Sequence, residues 1–172
     1  MSFEIREMIT PGNENSFTVG RNRRDARLED LPPVHRALLE DQAAVTAALA
    51  TVKASGQPQL SPVWFSHDGD QIRLNSARGR VKDRNLRARP TAALLIVNPK
   101  NPYHYLTIDG VVEVIVDEDD SERGHLATEN ADAHSEKYLR TSPYPLRDPK
   151  GEVRVMYALR PTRILTFGPV EG

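Results

Sequence analysis

The sequence has no cysteine and almost no net charge. Because none of its 172 residues is cysteine, the chain can form no disulfide and has no thiolate nucleophile or cysteine-bound zinc. A reducing compartment fits this composition, so we expect a cytoplasmic location. The formal net charge of −1 at pH 7 gives no chain-wide attraction to nucleic acid or anionic lipid. Any site for an anion must therefore be local.

Long apolar runs are also missing. No stretch reaches the roughly 18 apolar residues that a membrane span needs, and Glu4, Arg6 and Glu7 interrupt what would be the apolar core of a signal peptide. Hydrophobic residues make up 38% of the chain and charged residues 27%, which is a globular balance. We therefore expect a globular protein that neither spans a membrane nor binds nucleic acid.

Several catalytic signatures are absent. The chain has no G-x-G-x-x-G, no P-loop and no G-x-S-x-G, so a Rossmann fold, a P-loop NTPase and an α/β-hydrolase have no support. Its five histidines do not form H-E-x-x-H, and no metal site is expected.

Residue patterns predict one main domain after an arm. Residues 1–30 are polar and without periodicity, so we interpret them as an N-terminal arm that is disordered or lies on a partner. Residues 31–172 are interpreted as the folded domain. Apolar spacing and flanking prolines and glycines predict helices over 31–41, 79–89 and 119–139.

Strand patterns dominate the remaining segments. Alternating or β-branched residues predict strands over 45–53, 59–67, 71–76, 91–98, 103–117 and 152–168. Asp109–Gly110 is either a hairpin turn or a bulge in one long strand, and we favour the bulge. The last segment forms either one strand or two strands that are separated at Pro161. The prediction is a β-dominated α+β fold with six or seven largely antiparallel strands.

One segment combines features that suit a phosphate. It runs from Asn75 to Arg87, turns at Gly79 and enters a helix, so backbone amides at the helix start would lie beside Ser76, Arg80 and Lys82. Arginine adds a forked donor. A solvated basic helix face or a local RNA contact explains the same residues.

Aromatic residues follow a proline-rich loop. Tyr103, His104 and Tyr105 come directly after the loop 99–102 and could line a planar ligand. Core packing explains Tyr103 or Tyr105 equally well.

Three stretches, GQPQLSPVWF, RGRVKDRNLRARPTAALLIV and NPYHYLTIDG, resemble the pyridoxamine-phosphate-oxidase-like split barrels, in particular the branch that uses the deazaflavin cofactor F420. The resemblance covers about residues 32–168. It implies a six-stranded antiparallel split β-barrel with short flanking helices, a homodimer, and a cofactor ring in a groove at the subunit interface.

The resemblance also implies site residues. Ser61 and Val63 would offer backbone groups to the ring, and Tyr103 and His104 would close the pocket from the same or the other subunit. The residues that would hold the phosphate and tail are Ser76, Arg80, Lys82 and Asn85. Only Arg80, Lys82 and Asn85 match a motif tightly.

The implied chemistry is hydride transfer between reduced deazaflavin and a small organic acceptor, with His104 or Tyr105 as candidate proton donors. FMN in place of F420, and a non-catalytic cofactor- or haem-binding protein, are the alternatives.

Two departures argue against pyridoxamine-phosphate oxidation itself. Asn85 stands where those oxidases usually carry an acid, and RPTRILTFG lacks their Arg-Leu-His motif.

Overall fold

Strands form most of the molecule, as the sequence patterns predict. The computed structural model describes residues 4–8, 17–22, 26–148 and 151–169. These hold nine strands: β1 (Glu4–Met8), β2 (Phe17–Asn22), β3 (Ala47–Val52), β4 (Pro58–Val63), β5 (Phe65–Asp68), β6 (Gln71–Ala77), β7 (Thr91–Asn98), β8 (Asn101–Asp117) and β9 (Arg154–Pro169).

The helices are short and lie between strands. They are α1 (Pro33–Arg36), α2 (Val81–Ala88) and α3 (Gly124–Leu139), with 3₁₀ turns at Leu28–Asp30 and Asp41–Ala43. The predicted helix over 31–41 is therefore wrong in length, since its regular part is the single turn Pro33–Arg36, which begins at Pro33 as the prolines suggest. In the described residues no helix is long and apolar enough to cross a membrane.

All nine strands join one antiparallel sheet. Its main path runs β1-β2-β9-β8-β7-β3-β4, and the β5–β6 hairpin joins β9 through β6. Buried side chains from β3 to β9, together with Leu86 of α2, form one core cluster. A smaller cluster of Val116, Ala127 and Met156 lies under α3. Because buried side chains from all strands between β3 and β9 pack into the one core cluster, the sheet is curled around it.

Strand number is the main correction to the sequence prediction. The expected six or seven strands become nine, partly because the segment 59–67 divides at Trp64 into β4 and β5. The sequence predicts an arm without regular elements over residues 1–30. The structure instead contains two strands there, since β1 pairs with β2 and β2 pairs with β9. The rest of 1–25 lies outside the described residues, and a division near residue 30 stays a prediction.

The bulge favoured at Asp109–Gly110 is confirmed. β8 continues through this position, and its register against β9 shifts between Asp109 and Gly110. A side chain at Gly110 would place its Cβ 2.7 Å from the Arg160 carbonyl oxygen, so only glycine fits. β9 also continues through Pro161 as one strand.

Two buried histidines join α1 to β8. The His35 Nδ1 atom lies 3.1 Å from His104 Nε2, and Asn98 Nδ2 lies 3.1 Å from His104 Nδ1. The Lys100 amide donates to Asn98 Oδ1, which turns the Asn98 amide nitrogen toward His104. His104 Nδ1 is then an acceptor, so its Nε2–H donates to His35. Burial first, and the neighbouring His104 second, lower the pKa of His35 to about 4.

This pair predicts a loss of stability in mild acid. An unfolded His35 takes up a proton near pH 6.5, whereas the folded one resists protonation down to about pH 4. Its stabilising contribution is therefore complete above pH 6.5, falls as the pH drops toward 4, and amounts to about 3 kcal/mol over that interval. Chemical denaturation from pH 7.5 to 4.5 measures it. In His35→Gln this part of the pH dependence should disappear; an unchanged slope would contradict the assignment.

Candidate functional site

The turn from β6 into α2 is held in place by one buried carboxylate. Gly79 has a positive φ of +80°, which glycine adopts without strain. Asp83 Oδ2 accepts the Gly79 amide at 2.8 Å, and Asp83 Oδ1 accepts the Tyr157 hydroxyl of β9 at 2.7 Å. The start of α2, which carries Arg80 and Lys82, is thereby tied to the last strand.

Three cationic side chains meet in a groove beside this turn. Arg80 and Lys82 come from the start of α2, and Arg154 from the first position of β9. The groove has a volume of about 260 Å³. Its lining is Thr46, Pro62, Val63, Trp64, Asn75, Arg80, Lys82, Ala131, His134, Tyr144, Leu146 and Arg154.

Arg154 is fixed on several sides. Its Nε donates to Asn75 Oδ1 at 2.8 Å, and its guanidinium lies 4.9 Å from the centre of the Tyr144 ring. It also pairs with Glu152. Asn75 in turn donates to the Ala127 carbonyl oxygen at 3.0 Å. The cation is therefore positioned before any ligand arrives.

Lys82 lacks a counter-ion. In the described residues no carboxylate lies within salt-bridge distance of its half-buried ammonium group. Burial, followed by the positive charges of Arg80 and Arg154, lowers the pKa of Lys82. Like charges held together in a partly dry groove are unfavourable unless an anion joins them. An anion beside Lys82 would relieve this repulsion.

Aromatic rings form the other wall of the groove. Trp64 stacks on Tyr138 of α3 with ring centres 5.2 Å apart, and Tyr144 meets Trp64 edge-on at 6.1 Å. The Tyr138 hydroxyl donates to the Val45 carbonyl oxygen at 2.8 Å, which fixes that ring. This wall suits a flat or apolar portion of a ligand.

A larger apolar depression lies beside the groove. It has a volume of about 520 Å³ and is lined by Ala44, Val45, Thr46, Ala47, Ala48, Leu60, Ser61, Pro62, Leu95, Val97 and Pro99. Thr46 and Pro62 line both spaces, so the two spaces are adjacent. The depression lies along β4, an edge strand of the sheet.

The structure brings four of the predicted site residues together. Ser61 lines the apolar depression, while Val63, Arg80 and Lys82 line the groove. The Ser61 hydroxyl is buried and has no hydrogen-bond partner within the described ranges. These four residues therefore line a polar groove and an apolar depression that both lie beside β4.

Two other predicted residues lie behind this surface. Ser76 is buried on β6, and Asn85 is buried on α2, where its amide donates to the Thr51 hydroxyl at 2.9 Å. The Gly79 amide, which lies in the turn before α2, is occupied by Asp83. Roles of Ser76 and Asn85 in holding a phosphate stay predictions.

The aromatic candidates on β8 line neither space. His104 is buried against His35, Tyr105 stacks on Phe167 at 5.3 Å, and Tyr103 is 63% exposed. The structure therefore does not bring His104 or Tyr105 to the groove within one chain. Their proton-donor role, and pocket closure by Tyr103 and His104, stay predictions.

Sequence reasoning missed Arg154, Tyr144 and His134. Arg154 reaches the groove because the register of β6 and β9 places it opposite Ala77, a pairing between distant segments. A local pattern carries no signal for such a pairing. Tyr144 comes from a proline-rich loop, and His134 is buried on a helix with only a weak apolar stripe.

A curled antiparallel sheet with short flanking helices is the architecture of a split barrel. A family model described as pyridoxamine 5'-phosphate oxidase matches residues 31–166. The chain belongs to this family.

Solved structures agree with the fold. A protein called F420 reductase is 32% identical, with a TM-score of 0.61 over 78% of this chain and 98% of its own. A pyridoxamine 5'-phosphate oxidase-related, FMN-binding protein from Nostoc punctiforme is 16% identical (TM-score 0.53, 83% of this chain and 99% of its own). A heme-binding protein from Mycobacterium smegmatis is 23% identical (TM-score 0.52, 78% of this chain and 53% of its own).

The unpaired ammonium group predicts that Lys82 lowers stability. Because the fold disfavours its charged form, Lys82→Met should raise the free energy of unfolding at pH 7 by about 0.5–1 kcal/mol. Urea denaturation at low salt measures the change. Lys53→Met, at a lysine that lines neither space, is the matched control and should stay within about 0.5 kcal/mol of the unaltered chain. A loss of stability in Lys82→Met would contradict the electrostatic argument.

Proposed function

We propose that this protein is an F420-dependent oxidoreductase that transfers a hydride between reduced deazaflavin and a small organic acceptor. The observation that carries the proposal is the adjacency of the two spaces: a groove lined by three cations lies beside an apolar depression along the edge strand β4, and Thr46 and Pro62 line both. A phosphate-bearing cofactor with a flat ring has the same two-part chemistry.

The polar end fits a phosphate. Lys82 has no carboxylate partner within the described ranges, and Arg154 is already oriented by Asn75 and Tyr144. Arginine and lysine side chains in a partly buried groove form strong, charge-assisted hydrogen bonds to phosphate oxygens. Such a ligand would supply the counter-ion that Lys82 lacks within the described ranges.

The apolar end fits a ring. Ala48, Leu95 and Val97 give it an apolar surface, and Pro62 leaves one position of β4 without an amide hydrogen. The edge of β4 leaves backbone groups outside the sheet pairing, and the Ser61 hydroxyl adds a further polar group. Backbone and hydroxyl groups of this kind would orient the heteroatoms of a ring system.

Binding and orientation are the tasks left to the protein in this chemistry. The bound deazaflavin supplies the hydride-transfer capacity. The cations would hold the phosphate end, the apolar residues would exclude water from the ring, and the wall formed by Trp64 and Tyr144 would border the remaining space. A proton donor at His104 or Tyr105 stays a prediction.

FMN is the second candidate cofactor. The family's name and the FMN-binding protein from Nostoc punctiforme support it, and the same groove would accept its phosphate. The neighbour called F420 reductase, at 32% identity, is why we place F420 first. Haem binding has less support, because His134, which lines the groove, is buried and contacts the Ser66 hydroxyl at 3.1 Å.

A homodimer is part of the proposal. Leu60 is 70% exposed and Leu95 is 39% exposed, and both line the same apolar depression. A contiguous exposed apolar surface is typical of an interaction site. A second copy covering this depression would enclose the ring from the other side. The cytoplasmic location stays a prediction from composition.

Cofactor choice can be measured by titration with F420 and with FMN. Trp64 is the only tryptophan of the chain and lines the groove, so its fluorescence should respond to both. We expect F420 to bind more tightly, with an affinity that falls as salt rises. Lys82→Ala should weaken binding of F420 about tenfold or more, the cost of losing a hydrogen-bonded charge.

The matched control is Lys53→Ala, which removes the same charge away from both spaces and should bind like the unaltered protein. Tighter binding of FMN would move the protein to the flavin-using alternative. Unchanged affinity in Lys82→Ala would remove the phosphate assignment, and tight binding without turnover of any acceptor would favour a binding protein.

The dimer prediction is tested by a charge in the depression. Leu60→Glu should convert a dimer into monomers in sedimentation velocity experiments, because an unpaired carboxylate in an apolar interface is strongly unfavourable. Leu139→Glu, at another exposed leucine on α3, should leave the dimer intact. A monomeric unaltered protein would contradict the proposal.

A further inference from the structure

One carboxylate lies within the cluster of groove cations. The Glu152 side chain is 12% exposed, accepts a hydrogen bond from Arg80 Nη2 at 3.1 Å, and pairs with Arg154 on its other oxygen. Among the described residues, no carboxylate pairs with Lys82. One anion is therefore already placed between two of the cations that would bind a ligand.

The two arginines depend on Glu152 to different degrees. Arg154 is held by Asn75 and by the Tyr144 ring as well, so it keeps its place without Glu152. The Arg80 side chain is 51% exposed, and within the described ranges Glu152 is its one side-chain partner. An ion pair with such an exposed member contributes only about 0–1 kcal/mol. A ligand can therefore displace Glu152 from Arg80 at little cost.

We propose that Glu152 is a specificity-determining residue of the groove, which competes with the ligand's phosphate for Arg80 and disfavours dianionic phosphate monoesters more than monoanionic phosphodiesters. This inference rests on the proposed function. It assigns Glu152 a role in the choice between the two candidate cofactors, since FMN carries a monoester and F420 a diester.

The dependence on charge follows from electrostatics. The repulsion between a carboxylate and a phosphate is proportional to the product of their charges. A phosphate monoester carries nearly two charges above its second pKa of about 6, while a diester carries one. If repulsion reduces the affinity for a diester by a given factor, the factor for a monoester is about its square.

The test compares three probes in the full-length protein and in Glu152→Gln. Riboflavin has no phosphate, F420 has a diester and FMN has a monoester. At pH 7.5 and low salt, Trp64 fluorescence should show unchanged affinity for riboflavin, a gain of about threefold for F420 and about tenfold for FMN. The amide of glutamine keeps the size of the side chain and removes its charge.

Asp119→Asn is the matched control, since it removes one carboxylate from an exposed ion pair with Arg78 outside the groove. It should change none of the three affinities. Circular dichroism checks the fold of each variant. Glu152→Ala is the second variant if the glutamine side chain disturbs folding, and it should give the same order of gains.

Weaker binding of both phosphate-bearing probes to Glu152→Gln would overturn the inference, because Glu152 would then be positioning Arg80 for the ligand. Equal gains for F420 and FMN would also overturn it. If the unaltered protein binds neither F420 nor FMN, the proposed function itself fails, a result that does not involve Glu152.

Discussion

The antiparallel pairing of β8 with β9 is the interaction on which the rest of the structure depends. One half of β9 also pairs with β6 and the other half with β2, while β8 carries β7 on its far side. Both strands change register near Gly110 and Pro161. A Cβ at Gly110 would collide with β9, so the close approach of the strands at this point requires glycine.

The same pairing assembles the groove. Because β9 lies beside β6, its first residue, Arg154, comes within hydrogen-bond distance of Asn75. Three residues further along β9, Tyr157 donates to Asp83 and fixes the turn before α2. The groove cations thus come from β9 itself and from the start of α2, which β9 holds in place through Tyr157 and Asp83. Their mutual repulsion is opposed by the buried hydrogen bonds of Asp83 and Asn75, which cannot be rearranged without disturbing the sheet.

Local patterns and long-range pairings were not equally predictable. The strands β3, β6, β7 and β8, an undivided strand over 59–67, the α2 helix and the bulge in β8 follow from period, glycine and proline, and Arg80 and Lys82 follow from a short motif. The hairpin of β1 and β2 does not, because its partner strand lies about 140 residues later in the chain and the polar composition gives no local signal. For the same reason, the sequence patterns did not predict Arg154 and Glu152. Each reaches the groove cations only because β9 lies beside β6.

The charge arrangement explains why an empty groove is tolerable. Three cations without any anion would strain a fold whose net stability is only about 5–15 kcal/mol. Glu152 compensates two of them and leaves Lys82 exposed to their repulsion. If carboxylates neutralised all three cations, the groove would be more stable but would attract a ligand less. If no carboxylate were present, the protein without ligand would be less stable. One carboxylate shared between Arg80 and Arg154 is an intermediate solution, in which the least compensated cation, Lys82, is the one with most to gain from a phosphate.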